Sequence, residues 1–199
     1  MKRLKKKELE EASWHFSTKM KKEIFQDIEI PSGVDVSVHG NTITVKGEGK
    51  ESKKRLNTSK IDLKVEGNKI LIGSKTASKK EKRLINTYAA HIRNMINGIG
   101  EGFEYTLKIA FSHFPMTVEI NGNEAVIKNF LGEKVPRKLK ILKGTEVKID
   151  KDVITIHSHD KELAGQTAAN FEAATKVGKR DRRVFQDGIF IMKKPGREI

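Results

Sequence analysis

From Ile28 to Ile72 apolar residues recur at every second position, the spacing of strands with one covered face. Ile28 and Ile30 lead to Pro31-Ser32-Gly33, after which Val34, Val36 and Val38 continue the alternation. His39-Gly40-Asn41 reads as a turn, and Ile43 and Val45 resume a strand up to Gly47-Glu48-Gly49. Ile61, Leu63 and Val65 alternate next, Glu66-Gly67-Asn68-Lys69 turns the chain, and Ile70-Leu71-Ile72 follows. These joins are too short for crossover helices, so the pattern predicts antiparallel hairpins. Beyond Ser78 the period lengthens to that of a helix, with Ile85, Tyr88, Ala89, Ile92 and Ile96 on one stripe. Ser78-Lys79-Lys80-Glu81 is a capping box, in which Ser78 bonds the third helical amide and Glu81 reaches back. Gly98 supplies the helix stop.

The same text then recurs at an offset near 80 residues. Val38-His39-Gly40-Asn41-Thr42-Ile43-Thr44-Val45-Lys46-Gly47 is echoed by Ile120-Asn121-Gly122-Asn123-Glu124-Ala125-Val126-Ile127-Lys128-Asn129. Val65 to Ile72 is echoed by Ile149 to Ile156, and Ala89-Ala90-His91-Ile92 by Ala168-Ala169-Asn170-Phe171. The later helix carries a stripe of Leu163, Thr167, Ala168, Phe171 and Ala174 behind a cap at Asp160. That offset is too long for a solenoid repeat and is the size of a small domain. The chain therefore reads as an α+β protein of two similar tandem domains, each a twisted antiparallel sheet packed on one helix. The first occupies residues 20–100 and the second 101–199, with the boundary near Gly98-Ile99-Gly100-Glu101-Gly102. Residues 1–19, rich in Lys and Glu and without a later counterpart, form an N-terminal extension, and Met20 reads as the start of the compact protein.

Charge changes this picture from a scaffold to a partner-binding protein. Forty Lys and Arg against 26 Asp and Glu leave a net charge of +14 over 199 residues, well above the roughly 2 to 8 that solubility asks of a small domain. An excess of that size is the footprint of a polyanion partner, nucleic acid before membrane. The longest apolar runs are about four residues, far below the roughly 20 of a spanning helix, and the opening residues lack the apolar core of a secretory signal. With no cysteine there is no disulfide framework and no thiolate metal site, in keeping with a cytosolic setting.

The positive charge gathers at the end of the chain. Between Lys176 and Arg197, eight cations (Lys176, Lys179, Arg180, Arg182, Arg183, Lys193, Lys194, Arg197) face two acids, Asp181 and Asp187. Val184-Phe185 and Ile189-Phe190-Ile191-Met192 flank Gln186-Asp187-Gly188, and an Asp-Gly pair between apolar runs signals a tight hairpin turn. The expectation is a rigid hairpin, shaped by Asp187 and Gly188, with both groups of cations side by side at its open end. Asn129 to Lys140 adds a second basic loop containing Lys134, Arg137 and Lys138, so function concentrates in the second repeat.

Other chemistry is weaker. Gly98-Ile99-Gly100-Glu101-Gly102-Phe103 closes a helix where a dinucleotide fingerprint must open one, and Gly47-Glu48-Gly49-Lys50 lacks phosphate-loop spacing. His157-Ser158-His159-Asp160 could supply metal ligands, but these residues sit between a strand and a helix cap, where polar side chains have local partners. No nucleophile signature or paired carboxylate appears, so neither catalysis, a metal nor a cofactor is expected. Phe185 and Phe190 are the main candidates for exposed rings, too few for a base-stacking single-strand groove. Folded RNA recognised through shape and backbone fits better.

Arg183-Val184-Phe185-Gln186-Asp187-Gly188-Ile189-Phe190-Ile191, preceded by Lys179-Arg180, resembles the C-terminal signature of the archaeal and eukaryotic branch of the large-ribosomal-subunit protein six family. Asn129-Phe130-Leu131-Gly132-Glu133-Lys134 with Pro136-Arg137 resembles a second motif of that family, and Phe25-Gln26-Asp27-Ile28-Glu29-Ile30-Pro31 its opening. The resemblance spans Met20 to about Lys194. It implies two α+β domains on the large subunit, the second bound to rRNA near the sarcin-ricin loop, close to where translational GTPases dock. It makes Lys179, Arg180, Arg182 and Arg183 rRNA contacts. Phe190 stands where the family often has tyrosine, and residues 1–19 match no family element. The resulting expectation is a structural, cytoplasmic ribosomal protein whose partners are large-subunit rRNA and neighbouring ribosomal proteins, with no membrane and no small-molecule substrate. A free-standing RNA-binding or RNA-processing factor is the alternative.

Overall fold

A computed structural model describes residues 22–47, 49–56 and 60–199. The extension over residues 1–19 and the start at Met20 lie outside the described residues. The chain divides into two compact units between Ile96 and Asn97.

The first unit holds β1 (Lys22–Glu29), β2 (Asp35–His39), β3 (Thr42–Gly47), β4 (Lys50–Arg55), β5 (Asp62–Glu66) and β6 (Lys69–Ala77), followed by α1 (Lys79–Gly100), whose last turn from Asn97 belongs to the second unit. Its strands form two three-stranded antiparallel sheets, β1-β6-β5 and β2-β3-β4. Alternation along the strands buries Ile28, Ile43, Val45, Ile70 and Ile72, and the stripe of α1 buries Ile85, Ala89, Ile92 and Ile96, with Tyr88 half-buried. The Asn86 carboxamide oxygen accepts from Gln26 Nε2 of β1 at 2.7 Å, and His91 Nδ1 lies 3.2 Å from Lys54 Nζ of β4, so the helix is tied to both sheets. Glu81 reaches back as its capping box requires, its Oε2 accepting from the Ser78 backbone N–H at 2.9 Å and from the Ser78 hydroxyl, whereas Ser78 Oγ accepts from the second helical amide, Lys80 N–H at 3.3 Å, and not from the third as expected. The Ser78 hydroxyl holds the Glu81 carboxyl below its usual range.

The second unit repeats this plan strand for strand. It runs β7 (Phe103–Ala110), β8 (Thr117–Asn121), β9 (Glu124–Lys128), β10 (Arg137–Lys140), β11 (Glu146–Asp150), β12 (Val153–Ser158) and α2 (Lys161–Ala174), and then adds β13 (Gly188–Lys194) and β14 (Arg197–Glu198). The sheets are β10-β9-β8 and β11-β12-β7-β13-β14, all antiparallel. The β2–β3 and β8–β9 hairpins both close through a glycine with positive φ, Gly40 at 59° and Gly122 at 62°. Asp160 caps α2 by accepting from the Glu162 N–H at 2.8 Å, and α2 packs across β7, β12 and β13 and beside β10. Phe171, Leu107, Ile127, Ile154, Ile156 and Ile189 meet in its core.

Four expectations need correction. Each repeat divides its strands between two antiparallel sheets where one was expected, and the third strand of the added sheet, β4 or β10, is a largely charged segment with almost no hydrophobic alternation in sequence. The segment around Arg137 and Lys138, expected as a basic loop, is β10; a lysine-rich strand at a sheet edge resists pairing with other chains. Val184-Phe185 and Ile189–Met192 do not pair with one another: β13 begins at Gly188 and adds to β7, with Ile189 opposite Ile109 and Ile191 opposite Leu107. The hairpin at this end is β13–β14, closed by Pro195-Gly196 with Gly196 at φ 76°.

The fourth concerns Gly98, which lies inside α1 and does not end it. Its role is close approach, since a Cβ there would lie 2.0 Å from the His159 carbonyl oxygen, whereas at Gly100 it would meet nothing within 4 Å. Gly98→Ala should therefore lower stability by about 1–3 kcal/mol through overpacking, while Gly100→Ala should be neutral or stabilising by up to about 1 kcal/mol. Thermal melts of the two variants test this, and equal melting temperatures would show that no such approach exists.

Candidate nucleic-acid interface

The basic stretch after α2 is a structured loop, residues 175–187, pinned at both ends. At its start Thr175 Oγ1 donates to the Phe171 carbonyl at 3.2 Å and accepts from the Ile189 N–H at 2.9 Å, joining the helix end to β13. Val177 is buried. At its far end Asp187, 5% exposed, accepts from the backbone N–H and hydroxyl of Ser112, both at 3.1 Å. Between the pins the Asp181 carbonyl accepts from the Val184 and Phe185 N–H groups, closing a turn. The Asp181 carboxylate accepts from the backbone, Nε and Nη2 of Arg183, and these bonds hold it below the usual carboxylate range. The Arg180 guanidinium stacks over the half-buried Phe185 ring at 4.8 Å, and Lys179 takes a left-handed backbone at φ 59°.

Asp187 and Gly188 therefore shape no turn and offer no exposed contact. Asp187 secures the loop, and Gly188 is a buried first residue of β13 over which Phe190 folds, since a Cβ there would meet its ring at 3.1 Å. Asp187→Ala leaves the Ser112 N–H without its acceptor and should cost about 1–3 kcal/mol; chemical denaturation checks it, and an unchanged midpoint would remove Asp187 from the anchoring role.

Arg137 is likewise engaged within the protein. Its Nη1 donates to the carbonyls of Ala174 at 2.8 Å and Lys176 at 3.3 Å, its Nε and Nη2 meet the Glu133 carboxylate at 2.8 and 2.6 Å, and its guanidinium lies 4.2 Å over the buried Phe130 ring. A cation on the last carbonyls of α2 complements the negative end of its dipole. Hydrogen bonds from Arg137, aided by the charge of Arg180, hold Glu133 below its usual pKa. The pair is thus complete at neutral pH and is lost in acid, as Glu133 protonates through its lowered pKa. The segment Asn129–Pro136 is drawn beside Lys176 and Arg180 in this way, carrying exposed Lys134 with it. Lys138 is exposed and alternates with inward-facing Arg137 and Leu139 along β10, so it looks away from that contact.

Among the sequence-selected residues, Lys134, Lys176, Lys179, Arg180, Arg182 and Arg183 meet around the loop, all exposed. Lys193, Lys194 and Arg197 do not join them. They lie at the other end of β13, about 20 Å away along six strand residues, and form a separate cationic hairpin. Between the loop and the outer face of α2 runs a groove of about 820 Å³, floored by Ala169 and Ala173 and walled by Lys176, Arg182, Phe190 and the acidic Glu172. The anchors Ser112 and Thr175 carry no signal in the sequence, because their partners lie 75 and 14 residues away and only the fold aligns them. Around the second repeat's histidines, Ser158 Oγ donates to the Gly144 carbonyl at 2.7 Å and Asp160 caps α2. No group of three His, Cys, Asp or Glu poised for a metal exists among the described residues.

Comparison with known proteins agrees with this duplicated plan. The family model described as Ribosomal protein L6 matches residues 30–102 and 114–188, one stretch in each repeat. The large ribosomal subunit protein uL6 of Methanococcus vannielii is 45% identical over 176 residues, covering 88% of this chain and 97% of its own.

Proposed function

Since this chain belongs to the ribosomal protein L6 family, we propose that it is a structural, non-catalytic constituent of the cytoplasmic large ribosomal subunit that binds large-subunit rRNA through the loop of its second repeat. The single observation that carries this reading is the pinned loop itself. Six exposed cations (Lys134, Lys176, Lys179, Arg180, Arg182, Arg183) are held on a frame of internal hydrogen bonds, so their order does not have to be created on binding. Preorganisation of this kind lowers the entropic cost of association, and guanidinium and ammonium groups neutralise phosphates while releasing counterions. The separate cationic hairpin at Lys193, Lys194 and Arg197 lies far enough along β13 to reach a different stretch of backbone. The loop's own ring, Phe185, is half-buried beneath Arg180, which favours folded RNA read by shape over a stacked single strand.

The sarcin-ricin loop and its surroundings, where translational GTPases dock, are the part of the rRNA this reading assigns to the loop, with neighbouring ribosomal proteins around it. Crosslinking within purified large subunits, mapped to nucleotides, tests it. Crosslinks from residues 176–183 to that rRNA support the assignment. Recovery of the protein free of large subunits would favour a separate RNA-processing factor instead.

A further inference from the structure

The exposed face of α1 in the first unit presents a further positively charged surface that the proposed function leaves unused. Lys79, Lys82, Arg83, Asn86, Thr87 and Asn94, spaced three and four residues apart, lie on one face, where with Ala90 and His91 they line a shallow groove of about 710 Å³. Lys80 and Arg93 add two more cations to the helix, and its single acid, Glu81, is turned into the capping box with its side chain only 14% exposed. Cations in a first helical turn sit at the positive end of the helix dipole, where charge of that sign is disfavoured. Three of them there, Lys79, Lys80 and Lys82, are opposed by the dipole, with Arg83 one residue beyond, and a bound anion would offset that opposition. The groove's neutral members are hydrogen-bonding side chains, and Ala90 leaves its floor low.

We propose that this face of α1 is a phosphate-backbone contact surface for a double-helical RNA segment, separate from the loop of the second unit. A helix rise of 1.5 Å per residue places the Lys79, Lys82 and Arg83 backbones within about 6 Å along the axis, a compact cationic cluster suited to adjacent phosphates. A base-reading single-strand site is disfavoured because no Phe, Tyr or Trp lines the groove, and its one ring, His91, lies 3.2 Å from Lys54 Nζ of β4. An acidic protein partner is disfavoured because the face lacks the buried aromatic or aliphatic anchor around which protein interfaces are built.

The test uses the full chain carrying Lys79→Glu, Lys82→Glu and Arg83→Glu, alongside a Gln-for-cation version at the same three positions. Glutamates at a helix start favour the dipole, so folding is retained and a thermal melt verifies it. Binding to protein-free large-subunit rRNA is measured across a salt series. The slope of log affinity against log salt should become shallower by about 2.7 units for three lost phosphate contacts on a duplex. In assembled subunits, crosslinks from α1 to duplex rRNA should disappear while those from residues 176–183 persist. An unchanged slope with either variant, or α1 crosslinks only to an acidic protein, overturns the proposal. Loss of the crosslinks from residues 176–183 in the unmodified protein would instead count against the loop assignment, leaving the two readings separable.

Discussion

Arg180→Glu combined with Arg182→Glu is expected to weaken binding of large-subunit rRNA by roughly 100-fold or more while the second unit stays folded. Both side chains are exposed on the pinned loop, Arg180 over Phe185 and Arg182 on the groove wall. Each charge-assisted hydrogen bond to a phosphate contributes about 1.5–3 kcal/mol, and losing two amounts to about 3 kcal/mol at the low end, roughly a 100-fold change. Reversal adds repulsion to that loss. Stability falls little, because exposed charges rarely change it by more than about 0.5 kcal/mol and the Arg180–Phe185 stack contributes only about 0.5–1 kcal/mol at a surface. Filter binding at fixed salt and a thermal melt of the same preparation separate the two effects. Affinity within threefold of the parent would remove the loop from the interface.

Truncation of Phe171 should produce the largest loss of stability. Phe171 is fully buried on α2, at the centre of the second unit's core, and its carbonyl accepts from Thr175, which in turn receives the Ile189 N–H. Phe171→Ala removes the ring and leaves a cavity, a cost of about 3–5 kcal/mol, enough to lower the melting temperature of a unit this size by on the order of 15 °C. The effect reaches the interface through the helix end. Arg137 holds the Ala174 carbonyl and Thr175 clamps β13, so a loosened last turn frees the loop and lowers RNA affinity without touching a cation. Calorimetry should show the second unit melting well before the first. A loss below about 1 kcal/mol would place the Phe171 ring outside the core.

Salt responses add a consistency check, since loop and α1 variants should each flatten the salt dependence of binding while the Phe171 variant lowers affinity with less change in slope.

Local pattern was enough to read the repeated hairpins, both helices and their buried stripes, and both caps. Those features depend on neighbours within one turn or one hairpin. A capping box needs Ser78 and Glu81 alone, and the two-residue joins around Gly40 and Gly122 commit adjacent strands to pair. The surplus of cations was equally legible, because charge is additive along a chain. Strands β4 and β10 were not, since Lys-Glu-Ser-Lys-Lys-Arg and Arg-Lys-Leu-Lys are held by pairing with β3 and β9 and barely alternate.

Partner choice across long separations belonged to the folded molecule. Gln186-Asp187-Gly188 has the composition of a hairpin turn, yet residues 188–194 pair with the open edge of β7, where Ile189 gains complete burial and Asp187 gains Ser112. A turn signal states how a chain can bend; which edge a strand joins depends on apolar area and hydrogen-bond partners far away in sequence. The same holds for Arg137, which looks like any other cation until two carbonyls at the end of α2 and the Glu133 carboxylate surround it. Residue type and spacing thus specify the repeated architecture and the total charge, whereas packing assigns each cation to the frame or to the surface, because exposure is a property of what folds against a side chain.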